Sequence, residues 1–350
     1  MMSDDTRLLA VPMALVVVAV LVTFLPARHT AAASAPGARA SASRPPPRVG
    51  LVFDVGGRGD KSFNDSAYEG LMRAQRELGA EVSFLEPVGS EDREAALRLF
   101  AAQGEDLVLA VGFIFTSDVD AVARAYPDTH FACVDYAGPP DRMPPNVLGL
   151  SFREEEGSFL VGAVAGLLSH TKHVGFIGGM TIPLIRKFEA GYDAGVHAAC
   201  PECTVHSAYA GSTPDAFKDP ARGRSLAAFE IAAGADVLFH ASGATGHGVF
   251  EGARAAGALA IGVDSDEHDD LPGTVVTSMV KRVDVAVFQA IKDASQGQFH
   301  HGMLVFGLAE EGIDYVHDGP HAEGLPREVK EKVADLRAEV VAGKRRVPAE

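Results

Sequence analysis

The 350-residue chain has no excess of positive charge, no cysteine before Cys133 and only one long apolar run. A formal net charge of −16 argues against a nucleic-acid backbone or an anionic membrane surface as the main partner, because both select basic patches. The thirteen histidines are scattered. His300-His301 shows neither helical zinc spacing nor a nearby cysteine pair, so no metal site is expected. No Gly-x-Ser-x-Gly elbow occurs, and no nucleophile is paired with a base in a readable pattern. The turn at 242–248 lacks the lysine of a P-loop and the spacing of a dinucleotide fingerprint, and the turn at Gly56 fails that fingerprint as well. These absences lean toward binding without catalysis and without a cofactor.

The single long apolar run covers 8–25 and is followed by Ala33-Ser34-Ala35, a small-residue cleavage pattern, so 1–35 reads as an export signal. The run is long for a signal core and short for a comfortable span, and Asp4 and Asp5 stand beside a single Arg7; an uncleaved anchor stays open. Residues 36–47, rich in Ala, Ser and Pro, read as a disordered linker. Cys200 and Cys203 stand as Cys-Pro-Glu-Cys in a loop, where an exported protein can close a small disulfide or carry two thiols.

What is present is an alternation. Short Val/Ile/Leu/Phe runs at 49–53, 82–85, 107–111, 131–134 and 147–150 read as strands separated by helical patterns, and the rhythm resumes at 174–177, 205–209, 237–239 and 260–263. Such alternation predicts an α/β fold with parallel sheets covered on both faces. Arg48-Val49-Gly50-Leu51-Val52-Phe53 resembles His173-Val174-Gly175-Phe176-Ile177-Gly178, so two similar halves are expected, with a ligand enclosed between their strand ends. The first lobe is assigned to 48–150 plus about 267–297, the second to 151–266 plus about 298–350. Three glutamates at 154–156 open a helix whose dipole they complement, and the small residues of Gly162-Ala163-Val164-Ala165-Gly166 predict close helix packing in a soluble domain.

The richest segment is Asp54-Val55-Gly56-Gly57-Arg58-Gly59-Asp60-Lys61-Ser62-Phe63-Asn64. It reads as strand end, flexible turn and helix start, offering carboxylates from Asp54 and Asp60, the ring of Phe63 and the amide of Asn64. Ser62 with Asp65 predicts a capping box, and Gly79 a helix stop. Asp264 and Asp266 follow another strand, and Lys281 a further one, so a carboxylate and an ammonium can meet a diol; from spacing alone a surface turn is the favoured alternative. Phe217 is a lone aromatic in a polar loop, either facing Phe63 across a flat ring or packing locally.

In these segments, and in Glu155-Glu156-Gly157-Ser158-Phe159-Leu160, Val174-Gly175-Phe176-Ile177-Gly178-Gly179-Met180, Gly234-Ala235-Asp236-Val237, Gly262-Val263-Asp264-Ser265-Asp266 and Thr277-Ser278-Met279-Val280-Lys281, the chain resembles the basic membrane protein family of ABC-transporter substrate-binding lipoproteins, which includes a purine nucleoside receptor. The resemblance runs from Val49 to about Gly312. It implies a type I periplasmic-binding-protein fold of two Rossmann-like lobes that captures a nucleoside, delivers it to an ABC permease of the inner membrane and performs no catalysis. By position, Asp54 and Phe63 line the first lobe's share, Phe217 stacks on the other side of the base, and Gly243, Asp264 and Lys281 hold the ribose. The base-binding aspartate falls near Asp118, with Ser117 in the equivalent slot as the alternative. A lipid-bearing cysteine after the signal is not found, so a lipid anchor is not expected; a periplasmic or otherwise extracytoplasmic location is. A sensor that signals through a membrane partner without transport is the second reading, and an enzyme acting on nucleosides the third.

Overall fold

Most of the apolar runs are buried on both faces, and all sort into two six-stranded sheets in a computed structural model that describes residues 45–350, the side chains of residues 90 and 91 excepted. The signal or anchor segment and nearly all of the linker expected at 1–47 lie outside the described residues. No helix among the described residues is long and apolar enough to cross a membrane.

The first sheet holds β1 (Arg48–Val52), β2 (Glu81–Leu85), β3 (Leu107–Val111), β4 (His130–Val134), β5 (Val147–Phe152) and a late strand (Gly302–Phe306), in the order late strand-β5-β4-β3-β1-β2, all parallel. Its helices are α1 (Phe63–Leu78), α2 (Ser90–Ala102) and α3 (Thr116–Ala125). The chain then crosses through α4 (Glu154–Leu168) into the second sheet. That sheet is built from β6 (His173–Met180), β7 (Thr204–Gly211), β8 (Val237–Ala241), β9 (Leu259–Asp264) and β10 (Val275–Lys281), with α5 (Pro183–Ala199), α6 (Pro220–Ala232) and α7 (Gly246–Ala256) between them. After α8 (Val283–Ser295) the late strand, β11, returns to the first sheet, while β12 (Ile313–Tyr315) and α9 (Arg327–Val341) belong to the second. The second order is β12-β10-β9-β8-β6-β7, with β12 alone antiparallel. Orders β5-β4-β3-β1-β2 and β10-β9-β8-β6-β7 match strand for strand, so the repeated Arg48 and His173 segments occupy equivalent positions, each next to an edge strand.

The lobe limits differ from those expected. β10, assigned by sequence to the first lobe, pairs with β9 in the second sheet, and β11, assigned to the second, pairs with β5 in the first. α8 keeps its place against α1, and β12 and α9 keep theirs in the second half. A late strand carries the same apolar pattern whichever sheet edge it joins, so sequence periodicity does not decide its membership.

β3 is fully buried along its length because strands and helices cover both sides, whereas β2 at the sheet edge leaves Glu81, Ser83 and Phe84 exposed. α4 is buried on nearly every face, which explains why its apolar residues run without amphipathic period. Its small residues allow close approach to α5, as expected: a methyl group on Gly195 would run into the Phe159 carbonyl, and one on Gly162 into that of Tyr192. Glu154 and Glu156 do more than complement the helix dipole, since Glu154 pairs with Lys187 and Glu156 accepts from the Leu308 amide. At the far end of α5, Cys200 and Cys203 form a disulfide, with Cα atoms 5.4 Å apart.

Gly195→Val should therefore lower stability by about 3 kcal/mol or more, since helix backbones cannot separate without opening the core. A urea midpoint equal to that of the unaltered protein would show that α4 and α5 do not depend on this contact.

Candidate ligand cleft

Most of the cleft's polar wall comes from strands' carboxyl ends. β1 delivers Asp54, β4 delivers Asp135, β8 leads into Ser242, Gly243 and Ala244, and β9 and β10 end on Asp264 and Lys281. Phe63 and Asn64 enter from the start of α1, Leu184, Ile185 and Phe188 from the start of α5, and Phe217 from a 3-10 turn over Pro214–Phe217. Together they line one cavity at the strands' carboxyl ends.

The start of α1 is capped differently from expectation. Ser62 makes no cap bond. The buried Asp60 carboxylate takes that role, accepting from the Ser62, Asn64 and Asp65 amides at 3.0, 2.9 and 3.1 Å. Asp65 does reach back, but to the Gly59 and Lys61 amides. The freed Ser62 hydroxyl crosses the cleft and donates to the Val263 carbonyl at 2.9 Å, while Ser265 Oγ donates to the Ser62 carbonyl at 3.2 Å. Asn64 lines the cavity but is committed within the protein: its Oδ1 accepts from the Asp54 amide and its Nδ2 donates to Asp60. It fixes the β1 end against the turn.

Phe217 has room because residue 179 is glycine; a β-carbon there would occupy the space of its ring. The ring meets Phe113 edge-on, centroids 6.3 Å apart, across the two sheets' loops.

Lys281 is fully buried. Its Nζ donates to Asp135 Oδ1 and Oδ2 at 2.7 and 2.8 Å and stands 3.1 Å from Glu154 Oε1, with the Phe63 ring centroid at 5.1 Å. Burial alone would push the ammonium down; Asp135, Glu154 and Asp264 outweigh it and hold it charged, above the usual lysine range. Burial likewise pushes Asp54 up to about 7 against its bond from the Val55 amide, with Asp135 adding repulsion. Asp264 is also pushed up to about 7, by burial, with Lys281 opposing.

Of the residues expected from sequence, Asp54, Phe63, Asn64, Phe217, Gly243, Asp264 and Lys281 line this one cavity. Three do not. Asp118 faces Arg93 on α2, with Nε to Oδ2 at 3.2 Å, and neither it nor Ser117 reaches the cavity. The chain leaves β3 through a 3-10 turn at Phe113–Phe115, which puts Phe113 at the cleft and carries 117–118 away along α3. Asp266 turns outward and accepts from His321 Nδ1 at 2.7 Å. The carboxylate that sequence reading missed is Asp135. Its signal was available, since it follows the strand run at 131–134 as Asp54 follows 49–53.

The family profile described as Bmp, ABC transporter substrate-binding protein PnrA-like, matches residues 48–347. The chain belongs to this family. It is 35% identical to an uncharacterized lipoprotein of Pyrococcus horikoshii over 77% of this chain and 68% of that protein. It is 30% identical to basic membrane protein A of Borreliella afzelii, covering 84% and 89%. Among solved structures, a solute-binding protein of an Aeropyrum pernix ABC transporter system superposes with a TM-score of 0.78 at 29% identity, over 87% of this chain and 94% of that one. The two matched sheets are thus a type I periplasmic-binding-protein fold, and the family implies a small-molecule ligand and an ABC permease as partner.

Because Asp54 is held near 7 in the fold and far lower when unfolded, its contribution is favourable in acid and is lost as pH rises toward 7. Asp54→Asn removes that loss. The ligand-free variant should melt at least about 3 °C above the unaltered protein at pH 8 and within about 1 °C of it at pH 4.5, measured by differential scanning calorimetry. An equal difference at both pH values would show that Asp54 is ionised throughout.

Proposed function

We propose that the chain captures a nucleoside, with purine nucleosides preferred, outside the cytoplasm and hands it to an ABC-type permease. The reading rests on Phe63 and Phe217, which come from the two halves and line one cavity together with Asp264, Lys281 and Gly243. Two rings on either side of a heterocycle contribute about 0.5–1.5 kcal/mol each beyond buried area. Carboxylates accept from sugar hydroxyls and the ammonium donates to them, so a vicinal diol has partners of both kinds.

Charge sharpens the substrate class. The cavity wall carries Asp54, Asp60, Asp135 and Asp264 against Lys281 alone. A 5′-phosphate would enter a field already negative, so the free nucleoside is favoured over the nucleotide. The apolar run at 8–25 and the Cys200–Cys203 disulfide support a location outside the cytoplasm.

Calorimetric titration of adenosine, guanosine, inosine, uridine and cytidine into the purified chain tests the reading. At least one purine nucleoside should bind and its 5′-monophosphate should not. No heat with any nucleoside, from protein folded by circular dichroism, overturns it. Phe63→Ala should weaken binding at least about fivefold through the lost stack. Hydroxyls donating to Asp264 favour its ionised form, so binding near pH 7 should release protons and tighten as pH rises from 6 to 8; the buffer dependence of the binding enthalpy reads this directly.

A further inference from the structure

Behind the second sheet's part of the cleft lies a buried polar unit that does not line the cavity. His240, on β8, and Glu267, three residues beyond β9, are 0% and 2% exposed. His240 Nε2 stands 3.1 Å from Glu267 Oε2, and His240 Nδ1 stands 3.3 Å from Ser242 Oγ. The same Glu267 oxygen accepts from the Val263 amide at 2.7 Å, and the Glu267 amide donates to Ser278 Oγ on β10 at 3.0 Å. Through the two side chains and the Glu267 amide, this unit touches the carboxyl ends of β8 and β9 and the strand that carries Lys281. Space is reserved for it: a methyl group on Gly246 would enter the His240 ring, and one on Gly262 would collide with Glu267 Oε2 and Ser278 Oγ.

The surroundings favour neutral partners. Burial pushes His240 down to about 4, against the opposing pull of Asp264 and Asp270. Burial also drives Glu267 well above the carboxylate range, with Asp270 and Asp60 adding to it and the Val263 amide and His247 opposing. A neutral imidazole has one donor and one acceptor. Nε2–H then donates to Glu267 Oε2, and Nδ1 accepts from the Ser242 hydroxyl.

We propose that His240 and Glu267 form an uncharged hydrogen-bonded brace that fixes the β8 end relative to the β9 end, and so positions Ser242, Gly243 and Asp264 for the ligand. Both are positioning residues. The proposal rests on ligand binding in this cleft and extends it, because affinity then depends on residues that never touch the ligand.

Glutamine separates a neutral brace from an ion pair. Glu267→Gln keeps an oxygen to accept from Val263 and His240, so the best-bound nucleoside of the panel should keep its affinity within about threefold. Glu267→Ala, folded by circular dichroism, should lose at least about tenfold, because two buried donors are left without an acceptor. Equal affinity in the alanine variant, or an equal loss in both variants, would overturn the brace. A second measurement needs neither a variant nor a ligand: nitrogen-15 NMR of the unaltered, ligand-free chain should show His240 as the neutral Nε2–H tautomer throughout pH 5–8. A protonated imidazole near pH 6 would overturn the proposal. If no nucleoside binds while the NMR shows the neutral tautomer, the nucleoside reading fails and the neutral pair stands.

Discussion

Lys281 is the one ammonium in a cavity wall that carries four carboxylates, and the two halves of the fold meet on it. Its stem belongs to β10 of the second sheet; its head lies between Asp135, at the end of β4 in the first sheet, and Glu154, at the start of the crossover helix. A buried pair of this kind adds little over a well-packed apolar substitute. Breaking it by removing one partner costs about 3–5 kcal/mol because the remaining charge has no solvent. The site's acidity is therefore tolerable only while Lys281 is in place. A group that draws on the ammonium disturbs the carboxylates it holds; a hydroxyl can return a hydrogen bond to them, whereas an anion has none to donate.

The contacts that cross the cleft divide by depth. Lys61 reaches Asp270 with Nζ to Oδ1 at 2.6 Å, but its side chain is 64% exposed, so solvent reduces the pair to a small contribution. The Ser62 bond to Val263 is buried and keeps more of its strength. It also lands on the residue whose amide Glu267 holds, so the first lobe's helix start and the second lobe's strand end are fixed through one peptide segment. The contact between the two halves is thus fixed at backbone and not only through long flexible side chains.

Much of this is legible in the amino-acid sequence. Apolar runs gave the strands, and their restart at His173 gave the second half, because buried parallel strands need unbroken Val/Ile/Leu sequence. Strand-end position gave Asp54 and Asp264, and the lone Phe217 in a polar loop stood out for want of a core to serve. The errors share a cause. The resemblance places Asp118, and nearness in sequence to a strand end places Asp266, whereas a 3-10 turn after β3 and an outward turn after Asp264 decide which carboxylate faces in. The cap shift from Ser62 to Asp60 was hidden because Ser62 has a better partner in the other lobe, a tertiary contact that local spacing does not encode. The fate of β10 and β11 was hidden for the same reason.

Asp135 and Asp264 stand at equivalent places in the matched sheets and share an uncommon backbone, with φ of 59° and 66° where glycine would be comfortable. Left-handed conformations in residues other than glycine persist where the surroundings hold them, and they concentrate at functional sites. Here the hold on Asp135 is Lys281, and Val263, just before Asp264, is held by Glu267. The positive φ turns each strand end sharply, so that a carboxylate on one half faces its counterpart on the other. Glycine at either position would relax the backbone and lose the carboxylate, so the strain is tied to the charge. Asp135 pushes the Asp264 carboxyl up by repulsion, and a nearby cation opposes that push. Lys281 is that cation, and the cleft follows from that constraint.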